Sequence, residues 1–451
     1  MRGGCLLVLA YLTVGWARIR VCSDGGDTVL SGLPRDTEFG RFKTAGDDIR
    51  TVSRRSLFGS LCAMVFLVNL ARVVFAPLVQ PVAAEFGVPA ASLGVVTSAA
   101  WLGSAAPRLP TGYLLTRFPR HHVVAAAGSV LAVAAAGTAF ADSVPLLAAG
   151  AFAMGLSSGV YFIAANPLVS ELFRERVGSA IGLHGAASQL AAVAAPVLLS
   201  GLLVVGRWET TFFLVSGAAL LATVALVLTA RRTTLPSVGV EDRSLRAAAR
   251  AQWRLILTGV VLIGAAGFLW NGLFNLYGDY LTVVKGVDPA TGRLLLSGMF
   301  AAGVPAFFLT GRLADRVPNV PLILGVIASF VVCTLALTAA SGVVAVAAVS
   351  LVLGFAVHAL FPVMDTYMLS ALPDRHRGSA YALYSATMMI VQALSSGAVG
   401  VAVSRGLGYT AVFRGLAVGV GVLVAALYVL YSRGRLPAGG TPGETPAPAT
   451  D

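Results

Sequence analysis

The chain has 451 residues and a net charge of +12, with 57% hydrophobic and only 12% charged residues. Its mean hydropathy of +0.84 is too high for a water-soluble fold, which must cover its core with polar surface. The basic excess would suit nucleic acid, but the arginines sit in short gaps between long apolar runs, which excludes that use.

Residues 1–56 form the least coherent stretch. The apolar run Cys5–Ala17 is too short to cross a membrane, and it is flanked by Arg2, Arg18 and Arg20. No cleavage site for a signal peptide follows it, so the stretch is expected to be a disordered leader, with an interfacial helix as the alternative. Apolar runs long enough to cross about 30 Å of hydrocarbon then follow in series. Spans 1 to 6 are expected at 57–84, 92–116, 122–141, 144–170, 177–204 and 208–230. A linker at 231–253 carries Arg243, Arg246 and Arg250 in an amphipathic pattern suited to the inner membrane surface. Spans 7 to 12 are expected at 254–284, 291–314, 320–340, 343–371, 377–404 and 409–432. The Pro-, Gly- and Thr-rich tail, 433–451, cannot bury a core and is expected to be disordered. The runs do not alternate as barrel strands do, and 50 glycines suit helices packed closely in lipid. The expected fold is therefore all-α, with twelve spans divided between bundles at 57–230 and 254–432.

Arginines crowd every second connection, around 50–55, 117–120, 174–176, 231–254, 312–316, 375–377 and 433–435. The other side receives only Arg207, Lys285, Arg293 and Arg405. By the positive-inside rule both termini are cytoplasmic, and the cell membrane is the expected location. Cys5, Cys22, Cys62 and Cys333 lack metal-ligand spacing and imply neither a disulfide framework nor a metal site. The two lysines, Lys43 and Lys285, both lie outside any Gly-x-x-x-x-Gly-Lys-Ser/Thr loop, which excludes ATP hydrolysis by that route. No nucleophile–base pair or cofactor motif points to an enzyme.

The second half echoes the first. Gly112-Tyr113-Leu114-Leu115-Thr116-Arg117 returns as Gly311-Arg312-Leu313-Ala314-Asp315-Arg316, and Arg176-Val177-Gly178-Ser179-Ala180 returns as Arg377-Gly378-Ser379-Ala380. Internal repeats in a membrane protein indicate two bundles rocking about one central path. With these motifs the chain, over about residues 57–432, resembles the major facilitator superfamily. That family writes Gly-x-x-x-Asp-Arg/Lys-x-Gly-Arg between spans 2 and 3 and again between spans 8 and 9. Gly311, Asp315 and Arg316 fit the second copy; the first keeps Gly112 and Arg117 but has Thr116 for the aspartate. The resemblance implies that Asp315 meets the start of span 5 near Gly178 and Ser179, closing an inner gate. Thr116 should face the start of span 11, as an uncharged and weaker latch.

Polar residues inside spans mark candidate cavity groups. Arg72 near the middle of span 1 shares a helix face with Asn69 and is similar in position to the substrate arginine of organophosphate antiporters; Asn271 stands at the symmetric point. Arg108 resembles the span 2 arginine of nitrate transporters, but Phe307 occupies the matching place, and snorkelling to the inner interface is the favoured expectation. Trp270, Asn271, Asn275 and Asp279 put a polar stripe along span 7. Tyr161, His184, His358, Tyr384 and Gln392 are further cavity candidates, and His184, Asp279, His358 and Asp365 are the groups able to couple protons. The arginine that drug/proton exporters carry in span 4 is missing from Ala149 to Gly155. The expected function is gradient-driven or facilitated transport of a small solute, possible substrates including an anion, by a monomer in the bilayer, with a proton or sodium ion as possible coupling partner. Two alternatives stay open: a proton-coupled exporter of amphipathic compounds, and a non-transporting receptor or scaffold of the same fold.

Overall fold

The computed structural model describes residues 45–88, 93–205, 207–235 and 244–437. Of the expected leader, residues 1–44 lie outside the described residues. Residues 45–56 are helical and not disordered, being continuous with the first span. Most of the tail also lies outside the described residues. Two prolines explain the breaks in the early helices. Pro77 has no N–H for the carbonyl of Val73, so span 1 divides into α1 (Ala45–Val73) and α2 (Phe75–Phe86). Pro107 withholds its N–H from Gly103, and span 2 divides into α3 (Gly94–Ala105) and α4 (Arg108–Leu114). Spans 3 to 6 are α5 (Arg120–Thr138), α6 (Val144–Leu172), α7 (Val177–Val205) and α8 (Glu209–Arg232).

Span 7 is α9, Leu245–Lys285. It starts nine residues before the expected 254, inside the expected surface segment, where the Ser244 hydroxyl accepts from the Ala247 N–H, and it kinks at Gln252 (φ −113°, ψ 16°). The amphipathic turns before the kink are thus continuous with the span. Spans 8 to 12 are α10 (Pro289–Ala314), α11 (Asn319–Ala339), α12 (Val343–Ala371), α13 (Arg377–Ser404) and α14 (Tyr409–Ser432). The start of α10 is set by Pro289 and by Asp288, whose Oδ1 accepts from the Ala290 and Thr291 N–H groups, each at 3.0 Å.

Ten of these helices are long and apolar enough to cross a membrane alone. The broken span 2 and the more polar α13 make up the remainder of a twelve-pass layout. Large apolar side chains such as Val344 (83% exposed) and Leu221 (73%) stand outward, which only a lipid surround makes favourable. Cys62 and Cys333 are free thiols.

Packing follows the repeat. In the first half α6 packs on α3 and α5, and α5 on α8; in the second, α12 packs on α10 and α11, and α11 on α14. The halves meet through two equivalent seams, α7 against α10 and α4 against α13. Glycines make the seams close. A Cβ on Gly311 would stand 2.7 Å from the Gly182 Cα, and one on Gly112 would stand 2.6 Å from the Ala382 Cβ. The repeated motif glycines are therefore contact points between helices of opposite halves.

Candidate functional site

Both seams lie at the arginine-rich end, and Asp315 locks one of them. Its carboxylate accepts from the Gly178 N–H at 2.6 Å, from the Ser179 N–H at 2.7 Å, and from the Ser179 hydroxyl. These are otherwise unsatisfied donors at the positive start of α7, so charge and geometry act together. Arg316 is exposed beside it, and Arg117 lies over the Tyr113 ring at 4.8 Å.

The other seam is built differently from the expectation for Thr116. The Thr116 hydroxyl donates to the Tyr113 carbonyl of its own helix at 2.7 Å. The groups nearest Gly378 at the start of α13 are Leu115 and Arg120, each 3.5 Å from where a Cβ would stand. A guanidinium at a helix start needs a counter-charge, and Glu171 supplies it. Glu171 and Arg120 form an ion pair with side chains 2% and 4% exposed, and Arg377 of the other half approaches Glu171 at 3.6 Å. Asp374 joins the set, held by Arg377 at 2.6 Å and by Arg174 of the first half at 2.9 Å. Asp374 lies in the connection between α12 and α13. Burial works to raise its carboxyl, but Arg377 and Arg174 together hold it below the ordinary carboxylate range.

On α9 the polar face runs from buried Gly267 through half-buried Asn271 to exposed Asn275 and Asp279. In the first half, Ser98, Trp101, Ala105 and Arg108 share one face of span 2, and exposure falls from 46% at Trp101 to 8% at Arg108. We read these two faces, each exposed at one end and buried at the other, as the walls of a vestibule that narrows towards the arginine-rich seams.

Arg72 reaches this vestibule. Its guanidinium stacks over Trp101 at 4.3 Å and stands 5.9 Å from the Phe162 ring. One N–H goes to the Asn69 carbonyl oxygen, and Asn69 is fixed by donating to the Ser188 carbonyl at 2.6 Å. The Arg72 Nε–H has no partner among the described residues. In the second half the Asn271 amide donates to Gln392 at 3.2 Å and to the Gly267 carbonyl at 3.0 Å, while Asn275 donates to the Asn271 carbonyl at 3.0 Å. The span 7 stripe and Gln392 are thus brought together, with Trp270 packed behind them.

Other candidates are placed elsewhere. Tyr161 and His184 are 0% and 1% exposed inside the first half. The Tyr161 hydroxyl donates to the Leu61 carbonyl at 2.6 Å and so accepts from His184 Nε2 at 2.9 Å. Both groups are satisfied by packing and do not line the vestibule. His358 is 2% exposed, its Nδ1–H given to the Gly354 carbonyl at 2.7 Å. Trp270, Phe300, Phe307 and Phe361 surround its ring at centroid distances from 5.4 to 6.5 Å. Tyr384 is also buried.

Sequence reasoning undervalued Arg108. It does not snorkel outward. It crosses the seam to donate to the Ser385 hydroxyl, while its Nε–H turns back to the Ser104 carbonyl at 3.3 Å. Asp365 lies nearby and accepts from the Tyr381 hydroxyl at 2.9 Å and from Asn166 of the first half at 3.2 Å. The helical spacing of Ser98, Trp101, Ala105 and Arg108 was the signal available in the sequence.

Comparison with known proteins gives consistent findings. The family described as Major Facilitator Superfamily matches residues 61–291 and 280–450. The chain is similar to a probable sulfoacetate transporter, SauU, of Cupriavidus necator, at 26% identity over 293 residues, covering 59% of this chain and 66% of that one. The match therefore spans just under two thirds of that relative's length. Among solved structures, the proton:xylose symporter XylE bound to 6-bromo-6-deoxy-D-glucose superposes with a TM-score of 0.70 at 15% identity, covering 85% of this chain and 96% of that one. The transporter FucP in its outward conformation gives 0.69 at 17% identity, covering 85% and 99%.

Proposed function

The chain belongs to the major facilitator superfamily of transporters, and on that premise we propose that it carries a small organic anion across the cell membrane by alternating access, with Arg72 as its charge partner. The observation that carries this reading is the Arg72 guanidinium, held by Asn69 and Trp101 in the vestibule with its Nε–H unclaimed. A cation in that setting is costly unless an anion or water-filled space meets it. Asn271, Asn275 and Gln392 on the facing wall would orient the rest of the solute. The sulfoacetate in the name of the relative is an anion of suitable size and gives the first substrate to try. With the arginine-rich end cytoplasmic, this conformation is outward-facing, its inner seams shut by Asp315 and by the Glu171 network.

The test is uptake of labelled sulfoacetate by the purified protein in liposomes. Loss of a charged hydrogen bond is worth about 1.5–3 kcal/mol, so Arg72→Ala should weaken binding at least about tenfold and Arg72→Lys less. Unchanged uptake in Arg72→Ala would end the anion assignment. The aromatic cage around His358 favours a second reading, the export of amphipathic compounds, which would show as transport of hydrophobic dyes that Arg72→Ala leaves intact.

A further inference from the structure

The first half holds a slot between α1, α7 and α8 with a volume of about 400 Å³. Its walls are apolar, with Leu70, Leu199 and Val215 buried along them. On α8 it runs from Thr211 to Ala218, seven residues apart, so it is about 10 Å long and parallel to the helices. At its rim Leu198 and Leu214 are 46% and 53% exposed, which puts the mouth on the lipid-facing side. A space of this size left empty forfeits the contacts of its walls. Water does not suit it, because a buried water needs several polar partners and the slot offers one polar lining residue. That residue is Thr211, 5% exposed, whose hydroxyl has no hydrogen-bond partner among the described residues.

The depth of that hydroxyl identifies the occupant. At the start of α8 the exposed Arg207 pairs with Glu85 and Glu209, and Trp208 Nε1 donates to Glu85 at 2.7 Å. Arginine and tryptophan in this arrangement mark the headgroup level of a bilayer. Thr211 follows Arg207 by four residues and so lies about 6 Å deeper. The polar layer on each side of the hydrocarbon is about 5–8 Å thick, which sets Thr211 at its foot, where the ester groups of phospholipids begin their chains. We propose that the slot is a phospholipid site: one acyl chain of a bilayer lipid fills it, and the ester carbonyl of that chain accepts from the Thr211 hydroxyl. The lipid belongs to the leaflet at the end away from the arginine-rich seams. Its chain enters through the mouth between Leu198 and Leu214 and lies parallel to the helices, as chains in the bilayer do. It completes the packing between α7 and α8, which make little contact with each other.

The experiment is native mass spectrometry of the full chain, equilibrated with equal amounts of dioleoyl phosphatidylcholine, its diether analogue without ester carbonyls, and free oleate. Wild type should retain a single phospholipid and prefer the diester over the diether by about 2- to 10-fold, the worth of one neutral hydrogen bond. Thr211→Val keeps the shape of the side chain and should retain a lipid without that preference. Ala218→Phe fills the slot and should retain none. Gel filtration reports whether each variant has folded. The lipid preference is a ratio read within one sample, so the comparison of wild type with Thr211→Val decides the matter even where Ala218→Phe fails to fold. Equal retention of diester and diether by wild type, or a preference that persists in Thr211→Val, would overturn the site. So would a lipid still held by folded Ala218→Phe, which would be a peripheral lipid only. Oleate retained in place of phospholipid would overturn the assignment in favour of a free fatty acid.

Discussion

Removing the Asp315 carboxylate should loosen the seam between α7 and α10, and the size of the effect can be worked from its contacts. The group accepts two backbone N–H bonds, at 2.6 and 2.7 Å, and one hydroxyl, all at the first turn of α7. Hydrogen bonds to a charged group contribute about 1.5–3 kcal/mol each, and a charge at a helix start adds about 0.3–1 kcal/mol. Asp315→Asn keeps one oxygen acceptor, loses the charge and turns an amide N–H₂ towards donors. A net loss of roughly 2–3 kcal/mol follows for Asp315→Asn, and Asp315→Ala, which loses all three bonds, exceeds it. At about 1.4 kcal/mol per factor of ten, the ratio of seam-open to seam-closed protein rises by about 30- to 150-fold. Spin labels on Glu175 and Arg316, both exposed and on opposite sides of this seam, report that ratio as a shift from short to long distances. Ser179→Ala removes only the hydroxyl contact and should move it about tenfold, by roughly 1.5 kcal/mol. If Asp315→Ala leaves the distance distribution where it was, the carboxylate does not hold the gate and the argument from helix-start donors is wrong.

Glu171→Gln strips the counter-charge from Arg120 and Arg377 inside the seam, where breaking a buried pair costs about 3–5 kcal/mol. A fall in the melting temperature of the detergent-solubilised protein should reveal it, whereas Arg174→Ala, with a side chain 51% exposed, should change that temperature far less. Thr116→Asp is expected to leave the label distances within about a factor of two, because Thr116 bonds its own helix and Arg120 and Leu115 hold the place at the start of α13. The pH dependence comes from Asp374. Its carboxyl is held low in the folded, closed state, so its contribution is fully present above the ordinary value of about 4 and is lost as pH falls through the depressed one. Acidification should therefore open the seam at the low end of the carboxylate range, and Asp374→Asn should remove that dependence.

The span pattern was legible because lipid imposes a single rule: a run of about 20 apolar residues must become a helix. Internal breaks were harder to read. Pro77 and Pro107 divide their spans, whereas Pro167, Pro305 and Pro362 sit inside unbroken helices α6, α10 and α12. Proline alone does not say which, since neighbouring helices can re-satisfy the freed carbonyl. The stretch 245–251 read as a surface segment because its arginines are amphipathically spaced, and the kink at Gln252 has no signature that a window of hydropathy detects.

Single-residue placement depends on what a neighbour offers, and this limited the site. An arginine in mid-span has few tolerable destinations, and Arg72 meets the Asn69 amide and the Trp101 ring. His184 was not readable, because the hydroxyl that satisfies it belongs to Tyr161, and nothing in the local sequence of either announces the pair. The gate shows the same limit most clearly. The repeat suggested two equal latches with one weakened by Thr116, yet the second seam is closed by charges the motif does not contain, with Glu171 between Arg120 and Arg377. The two seams therefore differ in kind. One is a carboxylate on backbone donors, a short-range contact that salt screens weakly; the other includes the partly exposed Arg174–Asp374 pair, which salt within a Debye length of about 8 Å does screen. Raising ionic strength should loosen α4 from α13 before it loosens α10 from α7. An ordering of that sort would make the halves part unevenly, hinging on the Asp315 seam, where two closely packed glycines leave the least room to slide.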